Sequence, residues 1–250
     1  MQITTTGLVL REVKTGESDR ILTILTPAHG IISAAAKGSL RPKNKLFSAT
    51  GLFGYSDFAL FEGRTMYRVN EASSIEVFFG LRQDVESLAL ATYMAELAQI
   101  LSPTGEEAEK LLQLTLNSFY VLAQHKQPAA FVKAVYELRS FSEAGFMPNL
   151  LACEDCGKYE DDRFYFDLRQ GSLLCAACAG QRRLAPNLDA AALAALRHIV
   201  LADARKVFSF TLKGNSLTLL KQIAEEYVLC NLDYPPKSLG FYKSLQLGGL

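Results

Sequence analysis

The fold of the N-terminal region is decided by two strand-like runs, GLVLREV at residues 7–13 and RILTILT at residues 20–26. Both runs are rich in β-branched and aliphatic residues, and turn-forming residues follow each of them, which is typical of β-strands. A third run over residues 31–37 begins directly after Gly30 and predicts a hairpin partner for the second strand.

A long polar connection over residues 38–50 separates the third strand from two further predicted strands, at residues 55–61 and 65–79. Five strands in about eighty residues, with one long connection before the fourth, favour a small closed barrel of the OB type. An SH3-like barrel or an open meander would give a similar pattern. We therefore predict an OB-fold β-barrel domain over residues 1–80.

From residue 82 onward the hydrophobic period becomes helical, with apolar residues recurring every three or four positions. Pro103-Thr104-Gly105 is predicted to end the first helix, and Pro235-Pro236 the last. We expect an α-helical domain over residues 81–250, so that the chain as a whole is an α+β multidomain protein. The predicted helices cover the apolar stripes of residues 90–101, 111–122, 131–141, 191–201 and 217–231.

Four cysteines lie within this helical region in two matched C-x-x-C pairs, Cys153 with Cys156 and Cys175 with Cys178. Two residues between thiolates allow one tight turn to present both sulfurs to an ion, and two such turns complete the tetrahedral shell of Zn²⁺. Gly157 follows the first pair, where a knuckle requires a residue that tolerates positive φ. We predict an inserted zinc module over residues 150–180.

Four protein ligands leave no open coordination position, so the predicted Zn²⁺ is structural and not catalytic. The alternatives are a redox C-x-x-C pair or reduced structural thiols, but a redox motif needs one pair beside a βαβ unit, and here there are two matched pairs. A zinc-dependent hydrolase would require an open metal position. The fifth cysteine, Cys230, is predicted to be a buried, unreactive thiol on the last long helix.

Composition places the 250-residue chain among globular proteins, because 49% hydrophobic residues exclude a disordered chain. No apolar stretch is long enough to cross a membrane, and no signal peptide is recognisable, so we expect a cytoplasmic protein with reduced thiols.

The sequence has no P-loop, no dinucleotide-binding glycine motif and no G-x-S-x-G elbow. We therefore expect a protein that is not an enzyme.

The formal net charge is zero, yet the charges are unevenly distributed along the chain. Residues 81–180 carry eight basic and fourteen acidic side chains, whereas basic residues are in excess on both sides of this segment. The electric field near a cluster of charges, rather than the net charge of the protein, attracts a polyanion. Phe53 and Tyr67 are candidate stacking surfaces for bases. The candidate DNA-binding residues are Lys37, Arg41, Lys43 and Lys45 in the polar connection, with Arg11, Arg20 and Arg68 in strands.

Over nearly its whole length the chain resembles the bacterial recombination-mediator family RecO. The resemblance implies an N-terminal OB-fold, a helical domain and an inserted zinc module. It also implies binding of single- and double-stranded DNA, annealing of complementary strands, and action with RecR to load RecA onto strands coated by single-stranded DNA-binding protein (SSB), at the nucleoid. The segments that carry the resemblance are GLVLR at residues 7–11, GESDRILT at 16–23, LTP at 25–27 with Gly30, AKG at 36–38, ELR at 137–139 with Gly145 and Pro148, the C-x-x-C pairs, and KSL at 237–239.

The resemblance further implies that the acidic tail of SSB binds in the helical domain, where Lys133 and Arg139 are the candidate basic residues. The competing interpretation is a zinc-containing protein–protein adaptor that does not bind DNA directly. Retention on a heparin column distinguishes the two, since a chain with no net charge is poorly retained unless its basic residues share one face.

Overall fold

The computed structural model describes residues 1–102 and 105–247. Packing divides the chain into two compact units: residues 1–126 together with the segment that begins at Pro236, and residues 127–235. The division between an OB-fold domain and a helical domain near residue 80 stays a prediction. In the described part of the chain, no helix combines the length and the apolar character that a bilayer span requires.

The first unit contains five strands that close into a barrel, and their bounds confirm the five predicted strands. They are β1 (Gln2–Thr15), β2 (Asp19–Thr26), β3 (Gly30–Ala36), β4 (Gly54–Phe61) and β5 (Tyr67–Val77). Neighbours follow the order β1-β2-β3-β5-β4, and β4 pairs with β1 to complete the ring. The β3–β5 pairing is parallel and the other four are antiparallel. This is the OB-type barrel that the sequence favours, and not an open meander.

The barrel interior is filled by every second residue of each strand, because successive strand side chains point to opposite faces. Leu22 and Ile24 of β2 and Phe58 and Leu60 of β4 are fully buried there. The connection predicted to be a polar loop contains a short helix, and Leu46 at its start packs into the same core.

Eight helices are described in all, and the five predicted ones are confirmed. They are α1 (Leu46–Ala49), α2 (Val85–Leu101), α3 (Glu109–Ala123), α4 (Ala129–Glu143), α5 (Ala176–Gln181), α6 (Ala190–Leu201), α7 (Gly214–Asn231) and α8 (Lys237–Leu247). The predicted helix breaker at Pro103 and Thr104 lies outside the described residues, and α2 ends just before it. The sequence did not predict α1, α5 or α8.

In the first unit, aromatic packing holds the barrel against α3. Phe53 lies in the loop before β4 and is only 2% exposed, with its ring centroid 5.0 Å from that of Phe119 on α3. Phe78, directly after β5, packs against the same ring at 5.7 Å. The prediction that Phe53 is a stacking surface for bases is therefore wrong, because the ring is part of the core.

The second unit combines α4, α6 and α7 with a small sheet. The sheet has the strands β6 (Arg163–Asp167), β7 (Ser172–Cys175) and β8 (Leu188–Asp189), in the order β7-β6-β8. Its β6–β7 hairpin lies between the two cysteine pairs and ends at Cys175. Phe166 of β6 packs against Tyr227 of α7, with ring centroids 5.5 Å apart, so the sheet is anchored to the helices of the same unit.

Candidate nucleic-acid interface and metal centre

Residues 37–45, which we call the basic loop, leave β3 and have a defined conformation. Gly38 turns the chain with a φ of +66°, and its N–H donates to Asp19 Oδ1 at 2.7 Å. The side chain of Asn44 donates back to the carbonyl of Gly38 at 2.9 Å, and Arg41 N–H donates to the same carbonyl at 3.1 Å. The loop is thus closed on itself and tied to the start of β2.

Arg20 lies beneath this loop and is only 6% exposed. One terminal nitrogen, Nη1, donates to the carbonyls of Ser39 and Phe47 and to Thr50 Oγ1, at 3.0–3.2 Å. Its Nε lies 3.1 Å from Glu12 Oε2 on β1. Arg20 is therefore withdrawn from any surface that DNA could touch, contrary to the role expected from the sequence, and it connects both ends of the connection between β3 and β4 to the barrel wall.

The four cations of the basic loop are all exposed: Lys37, Arg41, Lys43 and Lys45. None of them has a carboxylate partner among the residues that the structure describes. Lys37 and Lys45 also line a groove of about 790 Å³ on the barrel surface. The structure thus brings the four main candidates together on one short, fixed segment.

The two remaining candidates lie at different distances from this segment. Arg68 is exposed on β5 and is the register partner of Ala35 on β3, two residues before Lys37. Arg11 is exposed on β1, where its partner is Thr23 of β2, so that β2 separates it from β3. Tyr67, next to Arg68, is half-buried. Arg68 therefore lies near the start of the basic loop, whereas Arg11 lies apart from it. Tyr67 packs partly against the barrel core, so the prediction that it is a stacking surface for bases is not supported.

The four paired cysteines converge on one point. Their Sγ atoms all lie within 4.8 Å of one another, and those of Cys156 and Cys175 are 3.6 Å apart. A tetrahedral ion with Zn–S distances of about 2.3 Å needs sulfurs about 3.8 Å apart, so this set of donors fits Zn²⁺. The four-cysteine cluster is therefore able to hold a metal ion with no position left for substrate.

Cys153 and Cys156 are carried by a tight turn, Cys175 and Cys178 by the first turn of α5, and a carboxylate connects the two. Gly157 has a φ of +70°, and its N–H donates to the carbonyl of Cys153 at 2.9 Å, which confirms the knuckle predicted there. Asp161 accepts from the N–H of Ala176, the first residue of α5, at 3.2 Å and forms an ion pair with Lys158 at 3.1 Å. The segment after the first cysteine pair is thus hydrogen-bonded to the start of α5, which carries the second pair.

Backbone N–H groups around the cluster favour the thiolate of Cys153. Burial opposes the ionised form of Cys153, but N–H groups of Cys175, Cys156 and Asp155 donate to its sulfur and lower its pKa to about 6. Hydrogen bonds with the sulfurs of Cys175 and Cys156 raise the pKa of Cys178 instead. Four adjacent thiolates repel one another, and a bound cation removes that repulsion.

Cys230, the fifth cysteine, does not belong to this cluster. It is exposed on α7, so the prediction of a buried thiol is wrong. Val228, two residues earlier on the same helix, takes the buried position instead.

Two sequence segments match models of one protein family. Residues 1–78 match the model described as "Recombination protein O N terminal", and residues 82–240 match "Recombination protein O C terminal". The chain belongs to the RecO family. DNA repair protein RecO of Acetivibrio thermocellus is 36% identical to it over 241 residues, which cover 96% of both chains. The protein of the same name from Alkaliphilus metalliredigens is 29% identical over 233 residues, 93% of this chain and 95% of the relative.

In this RecO-family DNA repair protein, the two candidate residues for an SSB contact are engaged in internal contacts. Lys133 Nζ lies 2.7 Å from Glu137 and 2.8 Å from Glu225, with little exposure. Arg139 donates to the carbonyls of Ile199, Val200 and Ala202 at the end of α6. Both side chains therefore stabilise the second unit, and neither offers a free cation to an acidic tail.

Proposed function

We propose that this protein binds single- and double-stranded DNA through its basic loop and anneals complementary strands without a nucleotide cofactor. The observation that carries the proposal is a set of four exposed cations with no carboxylate partner among the described residues, on a loop that Asp19 and Arg20 fix to the barrel. A loop with a fixed backbone presents its cations to phosphates at little cost in backbone ordering.

Annealing follows from charge neutralisation. Two complementary strands repel one another through their phosphates, and cations that neutralise some of these phosphates lower the repulsion until bases can meet. If about four phosphates are neutralised, the slope of log affinity against log salt is near −3 for a single strand. The reaction is driven by binding alone, so no catalytic group is involved.

The proposed partners are RecR and SSB, with RecA loaded onto SSB-coated single strands as the outcome, in the cytosol at the nucleoid. Membership of the RecO family supports this part of the proposal.

We further propose that the metal held by the four cysteines is Zn²⁺, because four sulfur donors at these separations suit a closed tetrahedral site. Its role is to hold the two knuckles together.

The test compares two double charge reversals. In K43E/K45E the basic loop loses two phosphate contacts, whereas K206E/K213E makes the same charge change at exposed positions of the second unit. Fluorescence anisotropy with a labelled single strand, as a function of salt, is expected to show weaker binding and a slope smaller by about 1.4 for K43E/K45E only.

Annealing of two complementary oligonucleotides, followed by energy transfer between their labels, is expected to slow in the same variant. Circular dichroism checks that both variants are folded. Unchanged affinity, salt slope and annealing rate in folded K43E/K45E would contradict DNA binding by this loop. The absence of any DNA binding by the unmodified protein would favour the adaptor interpretation.

A further inference from the structure

A second groove lies in the other unit, between residues 158–162, which follow the first cysteine pair, and α6. We call it the module groove. Its volume is about 590 Å³, which is within the range of ligand-binding clefts. Its floor is apolar, since Phe164 of β6 and Leu193 and Ala194 of α6 contribute to the lining. All of its lining residues belong to the second unit, so the module groove and the basic loop are separate surfaces.

Arg197 of α6 fixes two exposed apolar residues at this groove. Its Nε donates to the carbonyl of Leu150 at 2.8 Å, and its Nη2 donates to the carbonyls of Leu151 and Tyr159 at 3.0 and 2.9 Å. The guanidinium carbon also lies 4.2 Å from the centroid of the Tyr159 ring. Leu151 is nevertheless 70% exposed and Tyr159 51% exposed. An aromatic ring that is already held in place offers contact area to a partner at little cost in ordering.

The rim of the module groove is acidic. Glu160 and Asp162 line it and are exposed, and neither forms an ion pair within the described part of the chain. Asp161, between them, is engaged with Lys158. Residues 150–162 as a whole contain five acidic side chains and one lysine. The two outer carboxylates are therefore available to a cation from another molecule.

We propose that the module groove docks a basic segment of a partner protein. An apolar side chain of that segment lies on the floor beside Tyr159, and flanking lysines or arginines pair with Glu160 and Asp162. An apolar centre with a charged rim is the usual anatomy of a protein–protein interface, and complementary charge selects the partner. DNA and acidic peptides do not fit, because their charges and those of the rim repel one another. The inference goes beyond the proposed DNA binding, since it concerns a different surface and a different class of ligand.

The first test measures binding of two labelled peptides to the full chain by fluorescence anisotropy. The basic probe is GSRLRFRLGS and the acidic probe is GSELEFELGS, and we expect only the basic one to bind. In E160Q/D162N its affinity is expected to fall at least about fivefold, because two ion pairs at an exposed rim are lost. The control, D203N/D233N, removes two exposed carboxylates elsewhere in the same unit and is expected to leave the affinity unchanged.

The second test fills the groove without changing its charge. A194Q places a longer side chain on the floor, whereas A191Q makes the same change at an exposed position of α6 outside the lining. We expect A194Q alone to weaken binding of the basic peptide, by at least about fivefold, because the apolar side chain of the peptide loses its place. Unchanged melting temperatures verify that all four variants are folded.

Several results would overturn the proposal. They are failure of the basic peptide to bind the unmodified protein, equal binding of both peptides, and an equal loss of affinity in E160Q/D162N and its control. A loss in E160Q/D162N without any loss in A194Q would show attraction to an acidic surface and no docking in the groove. A loss of affinity for a labelled single DNA strand in A194Q would make the groove a nucleic-acid site instead. None of these results bears on DNA binding by the basic loop, which K43E/K45E tests separately.

Discussion

Arg20 Nε lies 3.1 Å from Glu12 Oε2 across the first two strands of the barrel, and both side chains are mostly withdrawn from solvent. The register places Arg20 opposite Lys14, so the ion pair is diagonal and leaves the other end of the guanidinium free to reach Phe47 and Thr50. One buried cation thus joins the barrel wall to the connection that carries the proposed DNA-binding residues.

Replacing Arg20 with Met is expected to destabilise the protein by about 3 kcal/mol, because it leaves the Glu12 charge partly buried without a partner. DNA affinity is expected to fall as well, since the basic loop loses its anchor. The double variant R20M/E12Q removes both charges and is expected to recover part of the stability but not the affinity. Urea unfolding and anisotropy measure the two effects.

The matched control is R11M, which removes an exposed arginine from the neighbouring strand. Its stability is expected to stay within about 0.5 kcal/mol of the unmodified protein. If R20M were as stable as R11M and bound DNA with an unchanged salt slope, Arg20 would have no anchoring role.

Arg20 also illustrates what the sequence can predict about this site. The sequence shows the charge of a basic residue in a strand pattern. Its burial depends on which loop folds over it, and therefore on contacts with residues that are distant in the sequence. The strands and long helices were predictable because each has its own hydrophobic period. The short α1 was not, because four residues cannot show a period, and α8 buries only Leu239 and Tyr242 among its described side chains.

The four-cysteine cluster was predictable for a different reason. The C-x-x-C spacing fixes the local turn, so two matched pairs specify a site whatever the surrounding fold. The groove on the barrel surface was not predicted, since nothing in the sequence places β4 and β5 beside the basic loop. The parallel β3–β5 pairing that brings these elements together is set by closure of the barrel.

Loss of the metal is expected to unfold the zinc module and leave the barrel folded. Structural Zn²⁺ contributes about 10–16 kcal/mol to such knuckles at neutral pH, far more than a short hairpin and a six-residue helix supply alone. In C175S, or after chelation, hydrogen exchange is expected to rise over residues 150–180 and to stay low in β1–β4. The metal content, measured by mass spectrometry, is expected to fall from one ion per chain to none.

The control for this experiment is C230S, which changes the exposed cysteine outside the cluster. One bound ion per chain is expected to remain in it, with unchanged exchange in the module. A module that stays protected after complete metal removal would show that the hairpin and its packing on α7 suffice to fold it.

Lys133 is expected to be a structural residue of the second unit. Burial disfavours its ammonium, but the charges and hydrogen bonds of Glu137 and Glu225 outweigh burial and raise the pKa of Lys133. Replacing it with Met leaves Glu137, which is fully buried, without its nearest cation, and we expect a loss of about 3–5 kcal/mol in the free energy of unfolding. K221M, at an exposed position of α7, is the control, and thermal unfolding measures both. Equal melting temperatures of the two variants would contradict a structural role.

Glu96 on α2 is expected to make the docking of α8 dependent on pH. Its carboxylate accepts from the N–H groups of Lys237 and Ser238, at 3.0 and 2.8 Å, and from the Ser238 hydroxyl, so that it caps the first turn of α8. Burial opposes the ionised form, but these hydrogen bonds outweigh burial and lower the pKa of Glu96 below 4.5. A carboxyl whose pKa is lower in the folded state stabilises that state above its unfolded pKa, and this stabilisation is lost as the pH falls through the folded value.

Replacing Glu96 with Ala is therefore expected to cost about 1 kcal/mol at pH 7, the usual effect of removing a helix cap, and progressively less below pH 4.5. Hydrogen exchange of the α8 amides at pH 7 measures the local effect on the docking of α8. Urea unfolding between pH 3 and 7 measures the effect on the stability of the whole protein. E107A, at an exposed position between α2 and α3, serves as the control. If E96A and the unmodified protein differed in stability by the same amount at pH 3 and pH 7, the cap would not depend on the ionised carboxylate.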